Sequence, residues 1–207
     1  MNKMIVNSLI NFYLKVGNKL KRYYEEKYLF YKFTKLGIKI PSSLVFYGEP
    51  IFRIKNPSSV KFGNNVVLCS DPSKNDIGVN HPVILSCLNS NAIIKIGDNT
   101  GISGASISAM KKIIIGKNCL IGANVMIVDN DFHPIEPNNR RYSKENIGCG
   151  EVIIKDNVFI GTSTIVLKGV TIGENSVVAA GSVVTKNIDA NSIYGGNPCK
   201  KIKDINI

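Results

Sequence analysis

Two histidines, His81 and His133, stand in this sequence of 207 residues. Imidazole is the side chain whose ordinary pKa suits moving a proton near neutral pH. His133 lies in Asp129-Asn130-Asp131-Phe132-His133-Pro134-Ile135, ahead of a polar run from Glu136 to Gly150, and His81 lies in Val79-Asn80-His81-Pro82. Other chemistries are poorly supplied. The five cysteines (Cys69, Cys87, Cys119, Cys149, Cys199) are odd in number and form no CxxC pair. Neither a disulfide framework nor a zinc site is expected, and a reducing cytosol is the expected setting. Two histidines cannot build a three-His metal centre within one chain, so no metal is expected. No Gly-x-Ser-x-Gly elbow or Cys-His pair at readable spacing points to a covalent acyl-enzyme. What remains is an imidazole acting on a proton.

The elements that must position it show an unusual period. Ile154, Ile160, Val166, Ile172, Val178 and Val184 are aliphatics spaced by six. The fourth residue after each of the first five is small or β-branched: Val158, Thr164, Val170, Ser176 and Ser182. The same phrase stands upstream at Phe62-Gly63, Ile96-Gly97, Ile115-Gly116 and Ile121-Gly122. A helix, at 100° per residue, would scatter such positions around its axis, and a hairpin sheet would show period two. Period six fits short strands that each turn one aliphatic inward and then round a corner. Three such strands close a triangular coil of 18 residues, with Gly and Asn at corners that need positive φ. Ile, Val and Leu number 30, 18 and 11, an excess that favours strands. Cys119 falls on a small interior position and reads as a buried apolar residue.

One stretch breaks the repeat. Ile127 and Ile154 are 27 residues apart, which is not a multiple of six. An excursion over 128–150 therefore leaves the coil and carries His133. A stacked solenoid has no structural use for a long polar loop, so the excursion is the leading functional candidate. A smaller slip follows the uncharged stretch from Thr100 to Ile107: Ile102 to Ile115 is 13 residues, one more than two repeats.

The repeat [LIV]-[GA]-x-x-[STAV]-x, the His-Pro in the excursion, Ala180-Gly181-Ser182-Val183-Val184-Thr185-Lys186 and the ending Gly196-Asn197-Pro198-Cys199-Lys200 together resemble the hexapeptide-repeat acyltransferases. Within them the chain is most similar to the galactoside, maltose and serine acetyltransferase group, over about residues 60–203. Gly101-Ile102-Ser103-Gly104-Ala105-Ser106-Ile107 followed by Asp129 to Pro134 resembles O-acetyltransferases of capsule or lipopolysaccharide assembly. The resemblance implies a mainly β fold, a left-handed parallel β-helix; the usual crossover rule would give the opposite hand. It implies His133 as general base toward an acceptor hydroxyl, with Asp131 or Asn130 able to orient the ring. It implies acetyl-CoA as co-substrate, held by Gly161, Thr162 and Ala180 along the pantetheine arm, by Thr185 and Lys186 near the nucleotide, and by Lys200 and Lys203 near its phosphates. Some relatives have arginine at the last two positions and tryptophan where Phe159 stands. Ser103, Asn130 and His81 are the candidate acceptor contacts. A homotrimer with the site between coils is implied as well.

The formal charge of +11 is uneven. Residues 1–40 hold nine Lys/Arg and two acids, while the other 167 residues hold 17 basic and 13 acidic. The body is therefore only mildly basic, and nucleic acid is not the expected partner. Ile5, Leu9, Phe12, Val16 and Leu20 recur at spacings of three and four, predicting a helix that packs on the body or a neighbour, or that lies on an anionic membrane surface. The expected organisation is a basic amphipathic helical segment (1–41), a β-helix (42–190) and a tail that contributes to the CoA site (191–207). The expected activity is O-acetylation of a sugar hydroxyl in a surface polysaccharide or its precursor, in the cytoplasm or at the inner face of the membrane. N-acetylation of an amino sugar and a non-catalytic scaffold are the alternatives.

Overall fold

The computed structural model describes residues 16–17, 20 and 23–206. From Val45 the chain winds three short strands per turn, and the turns stack. Face one holds strands Val45–Tyr47, Val67–Cys69, Gly101–Ser103, Leu120–Ile121, Phe159–Ile160 and Val177–Val178. Face two holds Ile51–Arg53, Ile84–Cys87, Ser106–Ala109, Met126–Val128, Ile165–Val166 and Val183–Val184. Face three holds Val60–Phe62, Ile93–Ile96, Lys112–Ile115, Val152–Ile154 and Thr171–Ile172. Every pairing within these strands is parallel, and in the upper coils each residue lies on the one 18 positions later: Phe159 on Val177, Ile165 on Val183, Ile153 on Thr171.

This register turns the period-six aliphatics into three interior columns. Leu68, Ile102, Ile121, Ile160 and Val178 stack on face one. Leu85, Ile107, Ile127, Val166 and Val184 stack on face two. Ile96, Ile115, Ile154, Ile172 and Ile188 stack on face three. All of these are buried, as are the five small or β-branched residues picked out above and Cys119. In the upper coils small or β-branched residues fill the approach to each corner, whereas the lower face-three strands bury two isoleucines each, Ile94 with Ile96 and Ile113 with Ile115.

The third edge, where face three returns to face one, is built on asparagine. Asn65, Asn99, Asn118, Asn157, Asn175 and Asn191 all take φ between 55° and 59°. Asparagine tolerates this left-handed region better than other non-glycine residues. Their side-chain amides also bond along the stack: Asn65 donates to Asn99 (3.1 Å), Asn99 to Asn118 (3.2 Å), Asn157 to Asn175 (2.9 Å) and Asn175 to Asn191 (2.7 Å). The corner residue thus relieves backbone strain and cross-links coils.

A helix over 23–35 covers the open end of the first coil. Leu29 and Phe33 are buried there, and the Phe33 ring meets Phe52 edge-on at 4.5 Å and Phe46 at 5.7 Å. Gly37, at φ +78, ends the helix, with its N–H on the Thr34 carbonyl and the Ile38 N–H on that of Phe33. The packed face is thus Leu29 and Phe33. Val16 and Leu20, expected on a packing face, are exposed, and residues 5, 9 and 12 lie outside the described residues. At the other end the coil continues past the expected limit of 190. Ser192–Gly195 adds a parallel strand to face one, and Lys200–Asp204 folds back antiparallel on it. The tail is a hairpin that extends the sheet.

Two outcomes follow from this packing. Ile154→Ala removes a fully buried interior side chain from the middle of a column and is expected to cost about 2–5 kcal/mol, read as a lower urea midpoint. Burial pushes the Cys87 thiol up to about 11 and raises Cys69, Cys119 and Cys199 as well, so these stay protonated at pH 8. Cys149 is exposed. An aromatic disulfide reagent is expected to label Cys149 first and Cys87 and Cys119 only on unfolding.

Candidate active site

The excursion leaves from the second edge, between faces two and three, and is clamped at its root. Asp129 directly follows strand Met126–Val128 and is fully buried. Its carboxylate accepts from the backbone N–H groups of Met110 (2.6 Å), Lys111 (2.7 Å) and Lys112 (2.7 Å) and from the Asn130 side-chain amide (3.0 Å). The register slip noticed in the sequence supplies those amides. Ile102 to Ile107 is one residue short of a repeat, and Ile107 to Ile115 is two over. The surplus widens the second-edge corner at 110–112, whose N–H groups would otherwise point at nothing.

Above the clamp the two arms of the excursion pair briefly. Asn130 bridges Cys149 antiparallel, Gly150 N–H donates to the Asp129 carbonyl (2.8 Å) and Asp131 N–H to the Gly148 carbonyl (3.0 Å). A Cβ on Gly148 would sit 2.4 Å from Asp131 Oδ2, so a larger residue there would displace the Asp131 carboxylate. Asn130 Oδ1 then accepts from Phe132 N–H (2.9 Å), Phe132 takes φ +61, and His133 N–H donates to the Asp131 carbonyl (2.7 Å). This tight turn, with a bulky residue in the left-handed region, fixes the backbone from which His133 projects. The imidazole is exposed and lines a surface cavity of about 560 Å³ with Pro137, Asn139, Arg140, Arg141 and Tyr142.

The expected orienting residues are placed otherwise. Both oxygens of Asp131 accept from Lys168 Nζ, and Asn130 is engaged by Asp129 and Phe132. Neither side chain reaches the His133 ring, which has no hydrogen-bond partner among the described residues. Asp131 instead holds the excursion down on the coil above, through a lysine 37 residues away that the repeat pattern did not single out. Glu151, at the return, meets Lys112 (3.2 Å) and Lys111 (3.4 Å), whose ammonium groups hold its carboxyl below its ordinary pKa.

The donor-side candidates divide between edges. At the first edge, between faces one and two, small residues stack closely. An added Cβ on Gly122 would sit 2.8 Å from Thr162 N, and one on Gly161 would sit 2.5 Å from Ala180 N. Thr162 Oγ1 donates to the Ala123 carbonyl (2.7 Å), and Gly181 N–H donates to the Thr162 carbonyl (2.8 Å). Ala180 is exposed, so a flat ridge of backbone and methyl groups runs up this edge. Thr185 and Lys186 follow the face-two strand Val183–Val184 and lie at the second edge, on the side of the His133 excursion. Within one chain the intervening face two separates Thr162 and Ala180 from Thr185 and Lys186. Lys200 and Lys203 are exposed on the last strand of face one, without an ion pair among the described residues, whereas Lys201 meets Asp204 (2.7 Å) and Asp189 (3.4 Å).

The remaining candidates gather at the first edge. The segment between the strands Val67–Cys69 and Ile84–Cys87 carries His81, whose ring Nδ1 lies 2.8 Å from the Pro82 carbonyl. That contact requires Nδ1 to hold the proton, which leaves Nε2 as an acceptor 3.5 Å from Ser106 Oγ. Gly104, at φ +48, is pressed against Val79 and the His81 carbonyl, and Asn80 N–H donates to Asn124 Oδ1 (2.8 Å). Ser103, on the neighbouring strand, lies in register with Cys69. Ser106 and Asn124 were not singled out in the sequence; nothing local marks them, because the contact comes from stacking coils. His81 thus sits at the first edge on the second coil and His133 at the second edge on the fourth.

The clamp makes a direct prediction. Asp129→Ala orphans three partly buried N–H groups and is expected to cost about 1–3 kcal/mol in urea unfolding and to open the segment 136–146 to protease. Asp131→Asn breaks a half-exposed pair and should cost under about 1 kcal/mol while still raising cleavage in that segment.

Comparison with known proteins agrees with this architecture. Residues 151–186 match the bacterial transferase hexapeptide (six repeats), and residues 112–128 match the hexapeptide repeat of succinyl-transferase. A galactoside O-acetyltransferase of Lactococcus lactis is 42% identical over 98 residues, covering 45% of this chain and 44% of that protein. The chain thus spans under half the length of this curated relative. Among solved structures, an N-acyltransferase from Bacillus cereus in complex with dTDP and 3-hydroxybutyryl-CoA superposes with a TM-score of 0.65 at 25% identity, over 84% of this chain and 87% of that one. A galactoside acetyltransferase in complex with coenzyme A gives 0.52 at 26% identity, over 90% and 82%. By repeat and by fold the chain is a left-handed β-helix of the hexapeptide-repeat type, and it resembles the sugar acetyltransferase group.

Proposed function

We propose that this chain is an acetyl-CoA-dependent O-acetyltransferase whose acceptor is a sugar hydroxyl in a surface polysaccharide or its precursor, working in the cytoplasm where acetyl-CoA is made. The observation that carries the reading is the presence of two half-sites on neighbouring edges of successive coils, the fourth to the sixth. The first edge offers a flat ridge of small residues, Gly161, Thr162 and Ala180, against which an extended pantetheine arm can lie. The second edge projects His133 on a clamped excursion, beside Thr185 and Lys186. The relatives named above lend the acyl-CoA and sugar chemistry.

In this reading His133 takes the proton of the acceptor hydroxyl as its oxygen attacks the thioester carbonyl. An ester bond forms, the carbon–sulfur bond breaks, and the proton passes from imidazole to the departing sulfur. Positioned proton transfer of this kind contributes about 10²–10⁴-fold. Lys186, Lys200 and Lys203 meet the phosphates of the donor, Ser103 and His81 contact the acceptor, and the buried Asn130 shapes the turn beneath it. Because the half-sites lie on different edges, the reading requires a homotrimer in which the second edge of one copy faces the first edge of the next. Lining an active site at such an interface also gives the exposed Leu120, Met126 and Phe159 something to pack against.

A second reading is supported by the Bacillus cereus N-acyltransferase: the acceptor is the amine of an amino sugar carried on a nucleotide. Locating the new acetyl group by mass spectrometry after alkaline treatment separates the two, since an ester is cleaved and an amide survives. Both enzymatic readings expect CoA release with a glycan or nucleotide-sugar acceptor. His133→Ala should lower kcat about 10²–10⁴-fold with the KM for acetyl-CoA unchanged. Ala180→Trp, an exposed substitution on the ridge, should raise that KM more than tenfold. Full turnover by folded His133→Ala would end the proposal, and absence of CoA binding would leave the scaffold reading.

A further inference from the structure

The helix over 23–35 has a second apolar face that the coil does not use. At 100° per residue, Val16, Leu20, Tyr23, Tyr24, Lys27, Tyr28, Tyr31 and Lys35 fall within an arc of roughly 140°. Leu29, Phe30 and Phe33 point away from that arc, onto the first coil. The four tyrosines of the arc are 54–68% exposed, and Val16 and Leu20 are exposed too. Three lysine ammonium groups lie over these rings: Lys27 over Tyr23 (5.6 Å), Lys32 over Tyr28 (5.8 Å) and Lys35 over Tyr31 (5.5 Å).

The charges are sorted in the same way. No carboxylate falls in the arc. Glu25 and Glu26 line a cleft on the body side with Phe46, Glu49 and Asp71. Lys32 is turned to Glu49 (2.5 Å), while Lys27 and Lys35 make no ion pair among the described residues. The sequence adds a further basic excess, nine Lys/Arg against two acids in residues 1–40.

We infer that this outer face docks on a bilayer surface bearing anionic headgroups. Tyrosine suits the zone where an apolar ring and a polar hydroxyl must be satisfied at one depth. Basic residues near an anionic surface add an attraction that salt screens. A second copy of the same face is the poorer occupant, since it would set Lys27 and Lys35 against their own images. No helix among the described residues is long and apolar enough to cross a membrane, so the helix would lie on the surface. It caps the first coil, so docking would set the stack of coils on the membrane by one end.

Sedimentation of the full chain with vesicles tests this independently of any enzymatic activity. The probes are phosphatidylcholine vesicles with and without about 30 mol% phosphatidylglycerol. The expected result is at least about tenfold stronger partitioning to the anionic vesicles, lost at high salt and lowered about tenfold in the triple variant Tyr24→Ser, Tyr28→Ser, Tyr31→Ser. Circular dichroism and thermal melting verify that the variant folds; Lys27→Glu with Lys35→Glu provides a second arm that leaves the aromatic face intact. Equal recovery on both vesicle types, or undiminished binding by both variants, overturns the inference. A smaller oligomer for the triple variant in light scattering overturns it as well, by giving the face to a second copy.

Discussion

The stacking of one aliphatic per strand into three continuous interior columns is the constraint on which everything else rests. In every turn each face offers one interior place in line with its column. Once Ile121, Ile127 and Ile154 claim those places, register is fixed for the coils above and below, because a slip of one residue would turn the entire set outward. Fixed register aligns the corners, and aligned corners create the functional edges. The asparagine edge is structural. The first edge becomes a smooth ridge because successive glycines and alanines approach backbone to backbone. The second edge can release a long segment without disturbing the stack, since a corner is the one place where extra chain does not break the ladder.

The excursion shows how such a segment is kept from being merely loose. Its root is a buried carboxylate satisfied by three amides from the coil beneath, and its neck is a brief antiparallel pairing. Its turn is tied upward to Lys168. The imidazole inherits this definition through the backbone, since its ring has no hydrogen-bond partner among the described residues. That arrangement leaves its ring nitrogens for groups arriving from outside, which is what a base acting on a substrate hydroxyl needs.

Much of the architecture was legible in the sequence, because the period-six aliphatics and their small partners report directly on a repeating local geometry. The excursion was legible for the converse reason, as a failure of the count between Ile127 and Ile154. Contacts between coils were not. Asp131 stands two residues from His133 and invited an orienting role, yet Lys168, far along the chain, lies over it once the coils stack. Asp129 looked like one more polar residue of the excursion until the widened corner at 110–112 delivered its amides. The division of Thr162 and Ala180 from Thr185 and Lys186 was likewise hidden: they lie close in sequence, but one strand is enough to carry the chain from edge to edge. The tail read as an appendage because its lysines break the aliphatic pattern, although its backbone continues face one.

The central claim is that the two edges of different copies make one site, and subunit complementation tests it most directly. His133→Ala supplies an intact ridge without a base, and Ala180→Trp supplies a base without an intact ridge. Unfolded and refolded together in equal amounts, they are predicted to regain about a quarter of the wild-type CoA-release rate per site, while each alone stays nearly inactive. Mixed oligomers that form and show no recovered activity would contradict the account, and would return base and donor to the same chain.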